Sequence, residues 1–201
     1  MAPPAAKKTG KKKNTKASCP VTDYKMDSLI RFVNSPSERI MRCKIIGTPR
    51  PMYRTHGCKG SNNKLHVYTV SAPNKRNLQK AFGEAINKAP HSPFFLVHSQ
   101  KPVAVTTKFY FKRPKEHYTY NSITRQMVLR NDAPQFVTKK PDLDNCDKLI
   151  LDALEGIVYE NDSVVTELTS SKLFLPAKPG QAYDKDAGNK ECTLLKVIQY
   201  K

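Results

Sequence analysis

Asp142, Asp144 and Asp162 are the side chains best suited to chemistry in this sequence. They lie in an acidic island. Of the 17 acidic residues in the chain, seven fall between 141 and 162: Asp142, Asp144, Asp147, Asp152, Glu155, Glu160 and Asp162. Lys148 is the one basic residue among them. The island is therefore −6 in a chain of net charge +18, which leaves +24 on the rest. So basic a chain implies a polyanionic partner, most commonly nucleic acid, although a solubilising surface would also account for the charge. A carboxylate cluster would repel phosphate. A divalent cation resolves the conflict, because it attracts both the carboxylates and the phosphate.

The spacing predicts a helix over 142–156 that positions most of the island. At about 100° per residue, Leu143, Cys146, Leu149, Ile150, Ala153, Leu154 and Ile157 form one contiguous apolar arc. Asp144, Lys148 and Asp152 recur every four residues on the opposite stripe. Asp142 precedes the helix, near N–H groups that favour anions. Asp142 and Asp144, two apart, can reach one ion. Gly156 is expected to end the helix, and Asp162 to stand at the edge of the next strand, where the chain can return beside the first two aspartates. Simpler readings stay open. Asp142 or Asp144 can be a helix cap. Asp144–Lys148–Asp152 can be an ion-pair ladder worth roughly 0.2–0.5 kcal/mol per pair. Asp162 can be a turn residue. A calcium-binding EF-hand loop starting at Asp142 fails, because Asp147 replaces the required glycine and Ala153 the closing glutamate.

The rest of the chain supplies the frame. Residues 40–49, 102–112, 164–175 and 191–200 read as strands, and 74–88 as a helix with Leu78, Phe82, Ala85 and Ile86 on one face. Residues 50–66 are basic and turn-rich. Residues 113–140 read as a long loop or irregular hairpin, whose Tyr118 and Tyr120 could stack on bases. Arg50, Arg54, Lys59, Arg113 and Lys115 are candidate phosphate contacts, each equally readable as a solvated surface charge. Residues 1–20, with six lysines and no acid, are expected to be a disordered basic arm. Residues 21–39 are taken as an N-terminal extension and 40–201 as the folded domain. Five cysteines without C-x-x-C spacing argue against a disulfide framework or structural zinc and for a reducing compartment. No apolar run approaches the roughly 18 residues a membrane helix needs, and the N-terminus has no secretory pattern. The expected location is inside the cell, where a nucleic-acid partner would be met. That is the nucleus if the Lys-rich arm acts as a localisation signal, and otherwise the cytoplasm.

The run KKPDLDNCDKLILDALEGIVYEND resembles the RusA type of Holliday-junction resolvase. Asp142, Asp144 and Asn145 match the family's D-x-D-N, Lys148 its lysine, Asp152, Ala153 and Leu154 its D-A-L, and Asp162 the second member of its closing acidic pair. Asn161 departs from the first member of that pair. GTPRPMYR at 47–54, FYFKRPKEHY, and VVTELTSSK with Lys172 at a basic position match outside the signature, so the resemblance covers about residues 40–200. It implies an α+β fold, with a small mixed β-sheet packed against about two helices, in a C2 homodimer. It further implies an endodeoxyribonuclease that cuts four-way DNA junctions with Mg²⁺ or Mn²⁺. Asp142, Asp144 and Asp162 would hold the metal, Lys148 would stabilise charge on the phosphate, and Asn145 and Asp152 would support them. Lys172 joins the DNA-binding candidates. Leu151, off the core arc, is expected to be covered by the partner subunit. Two rivals remain. One is a non-catalytic branched-DNA-binding protein with a structural metal site, and the other is a basic structural protein that contacts DNA through the arm alone.

Overall fold

The computed structural model describes residues 21–27, 30–53, 56–59, 65–68, 71–88 and 94–201. Four long or paired strands build one mixed sheet. β3 (Glu38–Ile46) runs antiparallel to β10 (Cys192–Tyr200), β10 antiparallel to β6 (Val103–Phe111), and β6 parallel to β9 (Val165–Phe174). The short strands β1 (Lys25–Met26) and β2 (Arg31–Asn34) both pair with the outer edge of β3. Residues 21–39, expected as an extension, thus add to the same sheet, and Tyr24 enters the same core. The expected α+β architecture is present.

Period-2 alternation decides what each strand buries. Met41, Cys43 and Ile45 of β3, Leu195 and Val197 of β10, and Val103, Val105 and Phe109 of β6 face the helices. Helices α1 (Ala72–Asn87) and α2 (Leu143–Leu154) cover that face. Leu78, Phe82 and Ile86 of α1 and Cys146, Leu149, Ile150, Ala153 and Leu154 of α2 are buried against it, as the helical spacing predicts. The buried amide of Gln199 is fully used: it accepts from Leu96 N and donates to the carbonyls of Leu96 and Val158. β3 stops at Gly47, whose φ of +134° suits glycine and where a Cβ would lie 2.9 Å from Thr22 Cγ2.

Two hairpins lie off the sheet: β4 (His56–Lys59) with β5 (Leu65–Tyr68), and β7 (Tyr118–Asn121) with β8 (Gln126–Leu129). The second is the hairpin expected within 113–140. Cys43, Cys146 and Cys192 are free, buried thiols. Among the described residues no helix is long and apolar enough to cross a membrane.

Candidate active site

α2 presents its charged stripe over the edge of the sheet formed by β9. Asp144, Asp147, Lys148, Asp152 and Asp162 line one hollow of about 750 Å³, with Leu143, Leu151, Leu168 and Ser170. Asp144 comes from the first turn of α2 and Asp162 from the 3₁₀ turn Asp162–Val164 that leads into β9. The chain therefore does return Asp162 to the hollow of Asp144. Asp142 caps the backbone of α2 in extended conformation, but its side chain makes no capping hydrogen bond. It lines a neighbouring hollow of about 530 Å³ with Arg50, Tyr53, Phe111, Lys140 and Asn145. Asn145 stands between the two. Its amide donates to Asp144 Oδ1 at 3.4 Å, and its carbonyl accepts from Met52 N at 2.7 Å.

The simpler readings of these residues separate here. Asp142 is not engaged as a side-chain cap. Lys148 and Asp152 do form an i,i+4 pair at 3.5 Å, the lysine 60% exposed and the aspartate 13%. The turn before β9 is capped by Asn161, whose Oδ1 accepts from Ser163 N, so Asp162 is left to face the hollow. Asn161, where the resemblance leads one to expect an acid, does the turn-forming work.

Asp147 is the residue that the sequence reading passed over. It is 4% exposed, and Thr107 Oγ1 donates to its Oδ1 at 2.7 Å. Thr107 lies opposite Ser170 in the β6–β9 register, and the two hydroxyls are 2.9 Å apart. Burial pushes the Asp147 carboxyl above its ordinary range. The two hydroxyls pull it back down, and the charge of Asp144 raises it further. Its signal was present in the helical wheel: at about 100° per residue Asp147 falls beside Leu143 and Leu154, away from the stripe of Asp144, Lys148 and Asp152. Cys146 next to it is no thiolate ligand, since burial lifts its thiol to about 12.

Among the described residues no three His, Cys, Asp or Glu side chains are grouped so as to hold a metal ion between them. The three-carboxylate convergence expected from the sequence is thus not closed, with Asp142 on the adjoining hollow. The donor chemistry of the larger hollow still fits a hard cation. Magnesium takes oxygen ligands, keeps several waters and needs only one or two protein carboxylates, and Asp144 and Asp162 face the same space.

The candidate phosphate contacts divide. Arg113 is 7% exposed; it donates to the carbonyls of Leu175 and Pro134, and its guanidinium lies 5.5 Å from the Phe174 ring centroid. Lys172 donates to the carbonyls of Lys139 and Pro141, fixing the chain that enters α2. Arg113, buried and bonded, acts as a structural cation, whereas half-buried Lys172 spends two of its ammonium's donors on these carbonyls. Arg50 donates to Thr22 Oγ1 while lining the hollow of Asp142. Lys115 is exposed. Arg54 lies outside the described residues, as does the side chain of Lys59. Tyr118 packs edge-on against Tyr183, and Tyr120 is exposed. Leu151 is half-buried against the core and lines the larger hollow beside Leu168, which is 47% exposed.

A protein-family model described as Endodeoxyribonuclease RusA matches residues 43–180. No curated protein matches the chain.

Proposed function

The chain belongs to the RusA endodeoxyribonuclease family, and on that premise we propose that it resolves four-way DNA junctions by paired phosphodiester hydrolysis, leaving 5′-phosphate and 3′-hydroxyl ends. One observation supports this most directly. Asp144 and Asp162 come from different elements and line the same hollow, with Lys148 on its wall.

Asp144 and Asp162 would hold Mg²⁺ or Mn²⁺, with Asp142 approaching from the adjoining hollow. When bound, the ion supplies Lewis acidity toward water and toward the scissile phosphate. The carboxylates orient the attacking water and accept its hydrogen bonds. Water oxygen bonds to phosphorus in line with the P–O3′ bond, which breaks. The proton of the water leaves to solvent, and the departing O3′ takes up a proton. Lys148, its ammonium largely exposed, is a point charge for the phosphate oxygens or for that leaving oxygen. Asp152 aims Lys148, and Asn145 steadies Asp144. Asp147, anchored by Thr107, fixes the rotation of α2 over the sheet. A four-way junction has near-twofold symmetry, and a C2 homodimer would bring two sites to it. The apolar rim of Leu143, Leu151 and Leu168 would lie under the partner.

The alternative is a non-catalytic branched-DNA-binding protein with a structural ion between the same carboxylates. One assay separates the two readings. A labelled four-way junction is incubated with wild type, Asp144→Asn and Asp162→Asn, with Mg²⁺, with Mn²⁺ and with chelator. Symmetric nicks by wild type alone, lost on chelation, support the nuclease. Equal inertness of all three, with junction binding retained, overturns it.

A further inference from the structure

The sheet face turned away from α1 and α2 carries a block of cations for which the reaction has no use. Because Met41, Cys43 and Ile45 point to the helices, Arg42 and Lys44 point the other way. Strand register sets their neighbours. Arg31 pairs with Arg42, Arg42 with Lys196, and Lys196 with Thr106, forming one row. Lys44, Leu194 and Lys108 form the next. Lys25 opposes Ile46 one row further on. Arg31, Arg42 and Lys108 are exposed, and Lys44 and Lys196 partly so. Among the described residues no ion pair involves Arg31, Arg42, Lys108 or Lys196. Two acids of this face, Glu38 and Glu167, stand away from those rows, opposite Tyr200 and Ala104. Asp27, whose N–H donates to Lys44 O, and Asp184, which shares a hollow with Lys44 and Leu194, border the Lys44 row and leave Arg31, Arg42, Lys108 and Lys196 as the patch. Strands about 4.8 Å apart and same-face residues about 6.8 Å apart make this a patch roughly 14 Å across from β2 to β6.

We infer that this face is a second DNA-backbone surface, holding a duplex arm of the branched substrate away from the cut. The inference rests on the branched-DNA reading above. Duplex DNA offers one negative charge per about 1.7 Å of axis, which matches a flat array of unpaired cations. A second copy of the chain does not fit, since a twofold contact would set Arg42 and Lys196 against their own images. The rows run from the middle of the sheet toward the end where Phe111, closing β6, and Thr48, just past β3, line the hollow of Asp142. The arms of a junction diverge from its crossover. One arm can therefore pass the hollow of Asp142, turn that end of the sheet and lie along this face.

The test is junction binding by the R42Q/K108Q/K196Q variant across a salt series, beside R76Q/K80Q/K88Q, which removes the same charge from exposed positions of α1 and its C-cap. Thermal melts establish that each variant is folded. The sheet variant should bind four-way junctions more weakly. Its log K against log salt slope should flatten by up to about 2.7, at roughly 0.9 per lost phosphate contact. The α1 variant should change less. The single K108Q variant, at an exposed side chain, should shift in the same direction and keeps the test valid if the triple variant misfolds. Junction affinity and slope equal to wild type, or equal losses in the sheet and α1 variants, would overturn the inference and leave the junction reading intact. A wild type that binds no branched DNA would sink both.

Discussion

The hydroxyl of Thr107, in the middle of β6, donates to the carboxylate of Asp147 on the buried side of α2 across 2.7 Å. Both residues are almost inaccessible, at 1% and 4%. This contact joins the centre of the sheet to the helix that presents Asp144, Lys148 and Asp152. Replacing Thr107 with valine keeps the shape and removes the donor. It should cost about 1–3 kcal/mol, the penalty for an under-satisfied buried acceptor. Chemical denaturation measures the loss. An unchanged midpoint would show that Ser170 alone satisfies Asp147.

The same aspartate sets a pH dependence. Its folded-state pKa is raised above the ordinary 3.8, chiefly by burial. Between the unfolded and the raised folded value the native state binds the extra proton, so this group lowers stability as pH rises through that window. Asp147→Asn removes the effect. The stability of wild type relative to Asp147→Asn should therefore fall from acid toward neutral pH, in parallel denaturation series. A constant difference would contradict it.

Asp144→Asn and Asp162→Asn should each lower junction nicking by about 100-fold or more, the scale of losing one electrostatic group at a reacting centre. Junction affinity should hold or rise, because each change removes negative charge beside phosphate. Gel-shift and nicking assays on one junction read both quantities. Affinity lost in step with cleavage would point to misfolding instead.

Lys148 distinguishes chemistry from an ion-pair ladder. Its ammonium is largely exposed and pairs with Asp152 at 3.5 Å. Such a pair is worth about 0–1 kcal/mol. Lys148→Ala should thus leave the melting profile nearly unchanged and still depress the single-turnover cleavage rate. A normal rate would return Lys148 to the surface.

Arg113→Leu should destabilise the fold by about 1–3 kcal/mol, because the carbonyls of Leu175 and Pro134 lose their donor. The salt dependence of DNA binding should stay as in wild type. A flatter slope in a folded Arg113→Leu protein would restore it as a phosphate contact.

What the linear chain decided is local and periodic. Apolar residues at helical spacing set α2 and its core arc, β-branched runs set β3, β6, β9 and β10, and Gly47 marked the end of β3. The acidic island and its D-x-D-N run named the candidate site, because the chemistry of a carboxylate beside phosphate is a matter of residue type. What only the folded chain decided is contact across distance. Arg113 and Lys172 look like any basic residue in sequence, and their charges are claimed by carbonyls 21 to 62 residues away. Asp147 became a buried anchor because Thr107 and Ser170 meet it from two strands. Asp142 and Asp144 sit two apart in sequence and line different hollows, because the chain is extended at Asp142 and helical at Asp144. Periodicity gives the face of an element, whereas partners come from strand register and from how the helices lie on the sheet.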